Sequence, residues 1–460
     1  MSQRVIGELS KGGGLQHFWM PKGSLQIPRI ARGEGMFVWD EQGNSYMDCT
    51  SGPVVVNLGH SNPRVLAAMG EQSEKICYSY PTGFESEANT ELANLLTAEA
   101  GEGFDRAFFV SSGSEAMEKC LEFARLFAVS RGQQSRYKLI SRNPSYHGST
   151  LGAMGLNGDS AKSPMGPMLR PSIQIPAPFS YRQPAGYDRN SYAAHCAECL
   201  EKAILEAGPE TVLAYVMEPV MGFTGGAQYA PDFYYKRVRE ICDQYGVLLI
   251  YDEVISGAGR TGRFLASHWW PKGRPDLLTF AKGIGGGYYP LGGFLAPDSM
   301  LESVVAAGGF HLGHTYKASP LGCAVGLAVL QELKEQDLMS RALEQGEYLR
   351  KRLGSLKHSI SILGDVRGIG QLNGIELVAD QETKRKFPAS LDVQEEIKRL
   401  GMKEGLLIYA RRTSFGEFGD WLMMTPPLIA TRDDIDVLVE RLERVLRAYQ
   451  DDLAARGFLD

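Results

Sequence analysis

The feature richest in chemistry is a lysine between an apolar run and a string of glycines: Thr279-Phe280-Ala281-Lys282-Gly283-Ile284-Gly285-Gly286-Gly287. Desolvation at a strand end lowers an ammonium pKa and makes the amine a nucleophile toward carbonyl groups. The glycines let a planar group lie near the backbone; the bland alternative is a surface lysine on a loop. Neither phosphate-loop pattern fits, since a dinucleotide fingerprint needs glycine where Tyr288 stands and no Gly-Lys-Ser/Thr follows. A second run, Val247-Leu248-Leu249-Ile250-Tyr251-Asp252-Glu253-Val254, ends in two carboxylates. The period of two sends them to opposite sides, so one can face a ligand while the other makes a structural bond. A third, Phe108-Phe109-Val110-Ser111-Ser112-Gly113-Ser114-Glu115-Ala116, reads as strand, small-residue turn and helix start. Free N–H groups there favour an anion near Gly113 and Ser114, or a serine simply caps the helix. Ser145-Tyr146-His147-Gly148 adds an aromatic face and an imidazole, or a core tyrosine.

These groups need a scaffold that brings strand ends together. Strand patterns fall at 106–110, 138–141, 213–217, 247–251, 277–280 and 292–295, and helical periodicity at 114–130, 192–207 and 232–245. Alternation of this kind predicts an α/β fold, mostly parallel, with helices on both faces. Its ligand site should lie beyond the carboxyl ends of the strands. After Leu330 the pattern changes to helices at 340–356, 391–404 and 433–455, separated by short strands such as 372–378 and 421–424. Three parts are therefore expected: an N-terminal segment over 1–57, a large domain over 58–330 and a small α+β domain over 331–460 completed by that segment. Composition excludes other classes. The 460 residues carry 48 Lys+Arg against 54 Asp+Glu, a net charge of −6 with no basic block, which argues against nucleic acid. The longest stretch free of Asp, Glu, Lys and Arg, 143–158, is broken by Pro144 and glycines, so no membrane span is expected. Seven scattered cysteines and no apolar leader behind Arg4 point to a reducing cytoplasm. His195, Cys196 and Cys199 lack the further ligands of a zinc site, and no metal is expected.

A phosphate-binding helix start, a planar aromatic, a strand-end acid and a loop lysine together describe a site for pyridoxal 5′-phosphate, a phosphate-bearing pyridine aldehyde. The order of motifs then becomes specific: SGSEA from Ser112, YHG from Tyr146, Glu218-Pro219-Val220, YDEV from Tyr251 with GxGRTG ending at Gly262, and FAKGIGGG from Phe280. With Gly313-His314-Thr315-Tyr316, Arg367-Gly368-Ile369-Gly370 and Thr425-Pro426-Pro427-Leu428, this series resembles the class III aminotransferases, of fold type I among pyridoxal-phosphate enzymes. The resemblance implies a large domain with a mainly parallel seven-stranded sheet, a small α+β domain and a homodimer or dimer of dimers. It implies that Lys282 holds the cofactor aldehyde as a Schiff base and carries the reaction's proton, and that Asp252 keeps the ring nitrogen protonated. Gly113 and Ser114 would bind the phosphate, with Thr315 reaching that of the neighbouring subunit. Tyr146 and Val254 would cover the two ring faces, with His147 adjacent and Glu218 ordering the polar network behind.

Branches using 2-oxoglutarate or ornithine often carry Glu where this chain has Phe223 and Arg where it has Met423, and the biotin-pathway branch has a tryptophan pair in place of Ser51-Gly52. What remains is similar to the ω-amino acid or amine:pyruvate branch. The expected reaction is a ping-pong transfer from an amine donor to a 2-oxo acid, pyruvate foremost; a decarboxylase or an intramolecular aminomutase is the alternative, and a non-catalytic binding protein is disfavoured by the paired Lys282 and Asp252. Arg411 or Arg412 would bind the substrate carboxylate. Phe18, Trp19, Tyr78, Tyr80 and Phe84 are candidates for an apolar amine pocket.

Overall fold

A computed structural model describes residues 28–311, 313–413 and 416–459. The chain begins with three short strands, β1 (Ile30–Glu34), β2 (Phe37–Asp40) and β3 (Ser45–Asp48). The large sheet follows: β4 (Arg106–Val110), β5 (Lys138–Asn143), β6 (Ile173–Pro176), β7 (Val212–Met217), β8 (Leu248–Asp252), β9 (Leu277–Phe280) and β10 (Gly292–Ala296). Their spatial order is β4-β10-β9-β8-β7-β5-β6. β5 through β9 pair in parallel, and β10 runs antiparallel to both β4 and β9. The chain is thus an α/β protein with a mostly parallel seven-stranded sheet.

The central strands are apolar because helices cover both faces. Every residue of β7, β9 and β10 is buried. Such strands have no polar face from which alternation could be read, so length and turn residues define them. Within this seven-stranded sheet, β6 is the strand that no sequence pattern announces. It has four residues and ends in Pro176, a composition that fits an edge strand as well as a loop.

The C-terminal region contributes β11 (Leu363–Ile369), β12 (Leu372–Leu377), β13 (Leu406–Leu407), β14 (Tyr409–Arg412) and β15 (Asp420–Met424). β11, β12, β15 and β14 form an antiparallel sheet in that order. β13 adds in parallel to β3, so residues from both ends of the described chain share one sheet. Behind them the helix Arg432–Ala455 buries Ile435, Leu438, Val439, Leu442, Val445, Leu446, Tyr449 and Leu453, an apolar stripe at helical spacing. The helix Pro320–Glu335 is continuous through Leu330. No helix of the described residues is long and apolar enough to cross a membrane.

Candidate active site

The carboxyl ends of β4, β5, β7, β8 and β9 converge on a cavity of about 530 Å³. Its lining includes Ser111–Ser114, Tyr146, His147, Glu218, Phe223, Asp252, Val254, Lys282, Tyr409 and Arg411. Parallel strands place all their carboxyl ends on one sheet edge, so residues far apart in sequence meet there.

Asp252 is the last residue of β8. Its Oδ2 lies 2.9 Å from Nδ1 of the buried His147, and its Oδ1 accepts the Val254 N–H at 3.1 Å. Glu253 points the other way and accepts the backbone N–H groups of Ala266 (2.5 Å) and Ser267 (2.8 Å). Of the two adjacent carboxylates, only Asp252 lines the cavity. Behind it the Nε2 of His147 and Oε2 of Glu218 are buried without partners in the protein. Burial pushes the Glu218 carboxyl up, against the pull of His147 and the buried Arg142. The loop bearing His147 is held by Asn157, whose Oδ1 accepts the His147 N–H and whose Nδ2 donates to Gly148 O.

Lys282 follows β9 and adopts φ +49°, a left-handed conformation that costs a non-glycine residue about 1–3 kcal/mol. Its Nζ lies 4.1 Å from the centre of the Phe223 ring. Burial lowers the ammonium pKa to about 7, although the carboxylates of Asp252 and Glu218 oppose the shift. A large share of the amine is therefore uncharged at neutral pH, the form that attacks carbonyl carbon.

One edge of the cavity is the start of the helix Gly113–Ser130, whose free N–H groups could receive an anion. Ser112 caps it, accepting the Glu115 N–H at 3.2 Å, while Glu115 accepts the Ser111 N–H at 2.8 Å. Capping and cavity lining thus coexist in one turn. Two glycines keep the space open. A Cβ on Gly113 would sit 3.0 Å from Val254 Cγ1, and one on Gly148, at φ +145°, would sit 2.8 Å from Ser114 Oγ. The Ser114 hydroxyl in turn accepts the Ser149 N–H.

An aromatic wall closes the opposite side. Phe223 lies 4.7 Å from Tyr409 and 6.4 Å from Tyr146, centre to centre. Strand alternation separates the two arginines of β14. Arg411 shares a face with Tyr409 and lines the cavity, and its charge pulls against the rise that burial imposes on the Tyr409 phenol. Arg412 faces away and holds Asp420 through two bonds of 2.7 and 2.8 Å. Tyr409 and Asn157 were not singled out from sequence, though a period of two counted back from Arg411 reaches Tyr409.

Other candidates lie elsewhere. Thr315 is exposed and outside its own chain's cavity. Tyr78, Tyr80 and Phe84 are exposed, with Tyr78 packing edge-on against Tyr316 at 5.9 Å. Phe18 and Trp19 fall outside the described residues.

The donor set suits a phosphate-bearing pyridine aldehyde: a largely neutral amine for the aldehyde, a buried carboxylate for the ring nitrogen, and helix N–H groups behind glycines for the phosphate. Comparison with known proteins agrees. The profile of the family described as Aminotransferase class-III matches residues 20–446. A diaminobutyrate–2-oxoglutarate transaminase of Halomonas elongata is 33% identical, covering 93% of this chain and 92% of its own. A putrescine–pyruvate aminotransferase of Pseudomonas aeruginosa is 32% identical, covering 91% and 90%. The crystal structure of the ω-transaminase of Pseudomonas jessenii in complex with PMP superposes with a TM-score of 0.88 at 28% identity, covering 95% of this chain and 98% of that one.

Proposed function

The chain belongs to the class III aminotransferases, pyridoxal-phosphate enzymes of fold type I, and we propose that it moves an amino group from an ω-amino acid or amine to a 2-oxo acid, pyruvate foremost, in two half-reactions. The donor loses its nitrogen and one carbon-bound hydrogen, takes its new carbonyl oxygen from water and leaves as an aldehyde or ketone; the acceptor gains the nitrogen and a hydrogen and gives up its carbonyl oxygen as water. The observation that carries the reading is the Lys282 amine, half-buried in the cavity lining and 4.1 Å from the centre of the Phe223 ring, with its pKa lowered by desolvation to about 7.

The cofactor, when bound, supplies the carbonyl that accepts nitrogen and the ring that delocalises charge. The residues do the rest. Gly113 and Ser114 hold the phosphate with the helix N-terminus. Asp252, oriented by His147, keeps a proton on the ring nitrogen, and Glu218 orders the polar atoms behind it. Tyr146 and Val254, both in the cavity lining, are the side chains that would pack against the cofactor's planar ring. Lys282 would carry the proton away from the donor carbon in the first half-reaction and deliver one to the acceptor carbon in the second. Arg411 receives the carboxylate through two parallel bonds, a role supported by its place in the lining, whereas Arg412 is committed to Asp420. Phe223 and Met423 stand where branches of the family that use 2-oxoglutarate often carry Glu and Arg, which favours pyruvate as the acceptor. We assign the division into 1–57, 58–330 and 331–460, and a cytoplasmic homodimer. Seven unpaired thiols suit that compartment. The exposed Tyr78, Tyr80 and Phe84 suit burial by a second copy, with Thr315 turned toward the partner's phosphate.

Following the bound cofactor's absorbance against a panel of amines tests the donor class. Pyruvate should then restore the starting spectrum faster than 2-oxoglutarate. Lys282→Ala should lower transfer by at least about 100-fold. Transfer that persists in this variant, or a wild-type Lys282 left unlabelled by borohydride, would refute the assignment.

A further inference from the structure

Phe223 is held from behind by the C-terminal sheet. Its backbone carbonyl accepts the indole N–H of Trp421 at 3.2 Å. Two and three residues on, the carbonyls of Gly225 and Gly226 accept from Arg367, at 3.0 and 2.7 Å. Arg367 is itself fixed by Glu376, a fully buried carboxylate 2.7 Å away that also accepts from Arg182 at 2.6 Å. The approach leaves no slack: Gly226 has φ +57°, and a Cβ there would lie 2.8 Å from Arg367 Nη2 and 3.0 Å from Trp421 Cγ. At its other end the loop is closed by a backbone bond from Met221 N–H to Gln228 O at 2.7 Å. Phe223 is therefore a large, rigidly placed ring over the reacting amine, and neither Arg367 nor Trp421 lines the cavity.

We propose that Phe223 sets which amine donors this site accepts, by walling the space beside Lys282, and that Trp421 and Arg367 are positioning residues that hold this wall from the C-terminal sheet. The proposal rests on the reading of Lys282 as the reacting amine. A ring fixed at 4.1 Å from Nζ limits the width available to the non-reacting side of the donor. A looser loop lets the ring swing away, so wide donors gain most and narrow ones least. Apolar pockets discriminate shapes by about 10- to 200-fold, which sets the scale of the expected effect.

The test uses cofactor-loaded wild type, Phe223→Ala, Trp421→Phe, Arg367→Lys and the double variant Phe223→Ala/Trp421→Phe. Trp421→Phe keeps a ring and removes the N–H; Arg367→Lys keeps the charge on Glu376 and removes the fork that reaches two carbonyls. Single-turnover spectra give kcat/KM for benzylamine and for propylamine, and the ratio of the two is the readout. Phe223→Ala should raise that ratio about tenfold or more. Trp421→Phe and Arg367→Lys should raise it about threefold, mainly through the KM for benzylamine, and Trp421→Phe should add less than about twofold on top of Phe223→Ala. Titration of the apoproteins with pyridoxal phosphate should give the wild-type affinity for Trp421→Phe, because its target is the wall and not the cradle. A ratio unmoved by Phe223→Ala overturns the wall, and a Trp421→Phe effect that persists undiminished in the double variant overturns the positioning role. Borohydride labelling of Lys282 separates the two levels. A labelled lysine with an unmoved ratio removes this inference alone, whereas an unlabelled lysine, or wild type whose spectrum moves with neither amine, removes the underlying reading and this inference with it.

Discussion

Lys282 sheds its proton readily because the cavity floor offers little water to solvate an ammonium, and Asp252 and Glu218 recover only part of that loss. The charge state has two measurable consequences. In the apoprotein the rate of Lys282 modification by acetic anhydride, read by peptide mapping, should rise with pH and reach half its plateau near pH 7, whereas unfolded chain should do so near the ordinary lysine value of about 10.4. Asp252→Asn removes a carboxylate that favours the ammonium, so its midpoint should fall below that of wild type. The sign of the stability effect follows from the same shift. Between about pH 7 and 10.4 the unfolded chain holds the lysine proton and the folded chain does not, so this group makes the apoprotein more stable as pH rises through that window. At this scale the sequence was legible wherever a residue type ended a strand: Lys282, Asp252, Tyr146 and the Gly113-Ser114 turn all line one cavity. It was silent on Asn157, which acts only by holding His147 and Gly148 from a separate turn.

The first turn of the helix Gly113–Ser130 both caps the helix and lines the cavity, and substitutions separate the two. Its cap is local: Ser112 accepts one N–H, so Ser112→Ala should cost about 1 kcal/mol of stability, read from the denaturant midpoint of the apoprotein. The anion site proposed for it depends instead on the missing side chain at Gly113. Gly113→Ala should push the Val254 methyls into the cavity, weakening cofactor binding in a titration by about tenfold, equivalent to about 1.4 kcal/mol, with the melting temperature changed little. An unchanged affinity would show that Val254 can retreat and that the glycine is not required for the cradle. Element boundaries were readable for the same reason that caps are: 106–110, 277–280 and 232–245 stand where the patterns put them, between Gly, Pro and small polar residues. The reversed direction of β10 was not readable. An apolar five-residue strand buried on both faces carries no mark of orientation, and only its pairing with β4 and β9 reveals it.

At the scale of the whole molecule, four segments far apart in sequence meet at one buried arginine. Arg260, from GxGRTG, is fully buried, donates to the carbonyls of Thr425 and Pro426, to Ser51 Oγ at 3.2 Å and to Asn57 Oδ1, and offers its own carbonyl to the Gln371 N–H at 3.0 Å. Segments around residues 51–57, 260, 371 and 425 are thereby joined at one point, which no local pattern in the sequence could announce. Burial lowers even this guanidinium to about 9, and Asp48 is the charge that opposes the loss. Arg260→Met should therefore strand several acceptors in a dry interior and destabilise the protein by about 3–5 kcal/mol, read from urea denaturation. Arg447→Met, at an exposed pair with Glu443, is the control and should stay within about 0.5 kcal/mol. The defect should also reach the site. Asn57 donates to Ala258 O at 2.9 Å, and its Nδ2 occupies the space that a Cβ on Gly283 would need. Loss of Arg260 frees Asn57, and with it the backing of the strained turn that presents Lys282. Cofactor affinity should then fall in parallel with stability; a destabilised variant that binds cofactor as tightly as wild type would mean that the Lys282 turn stands without this support.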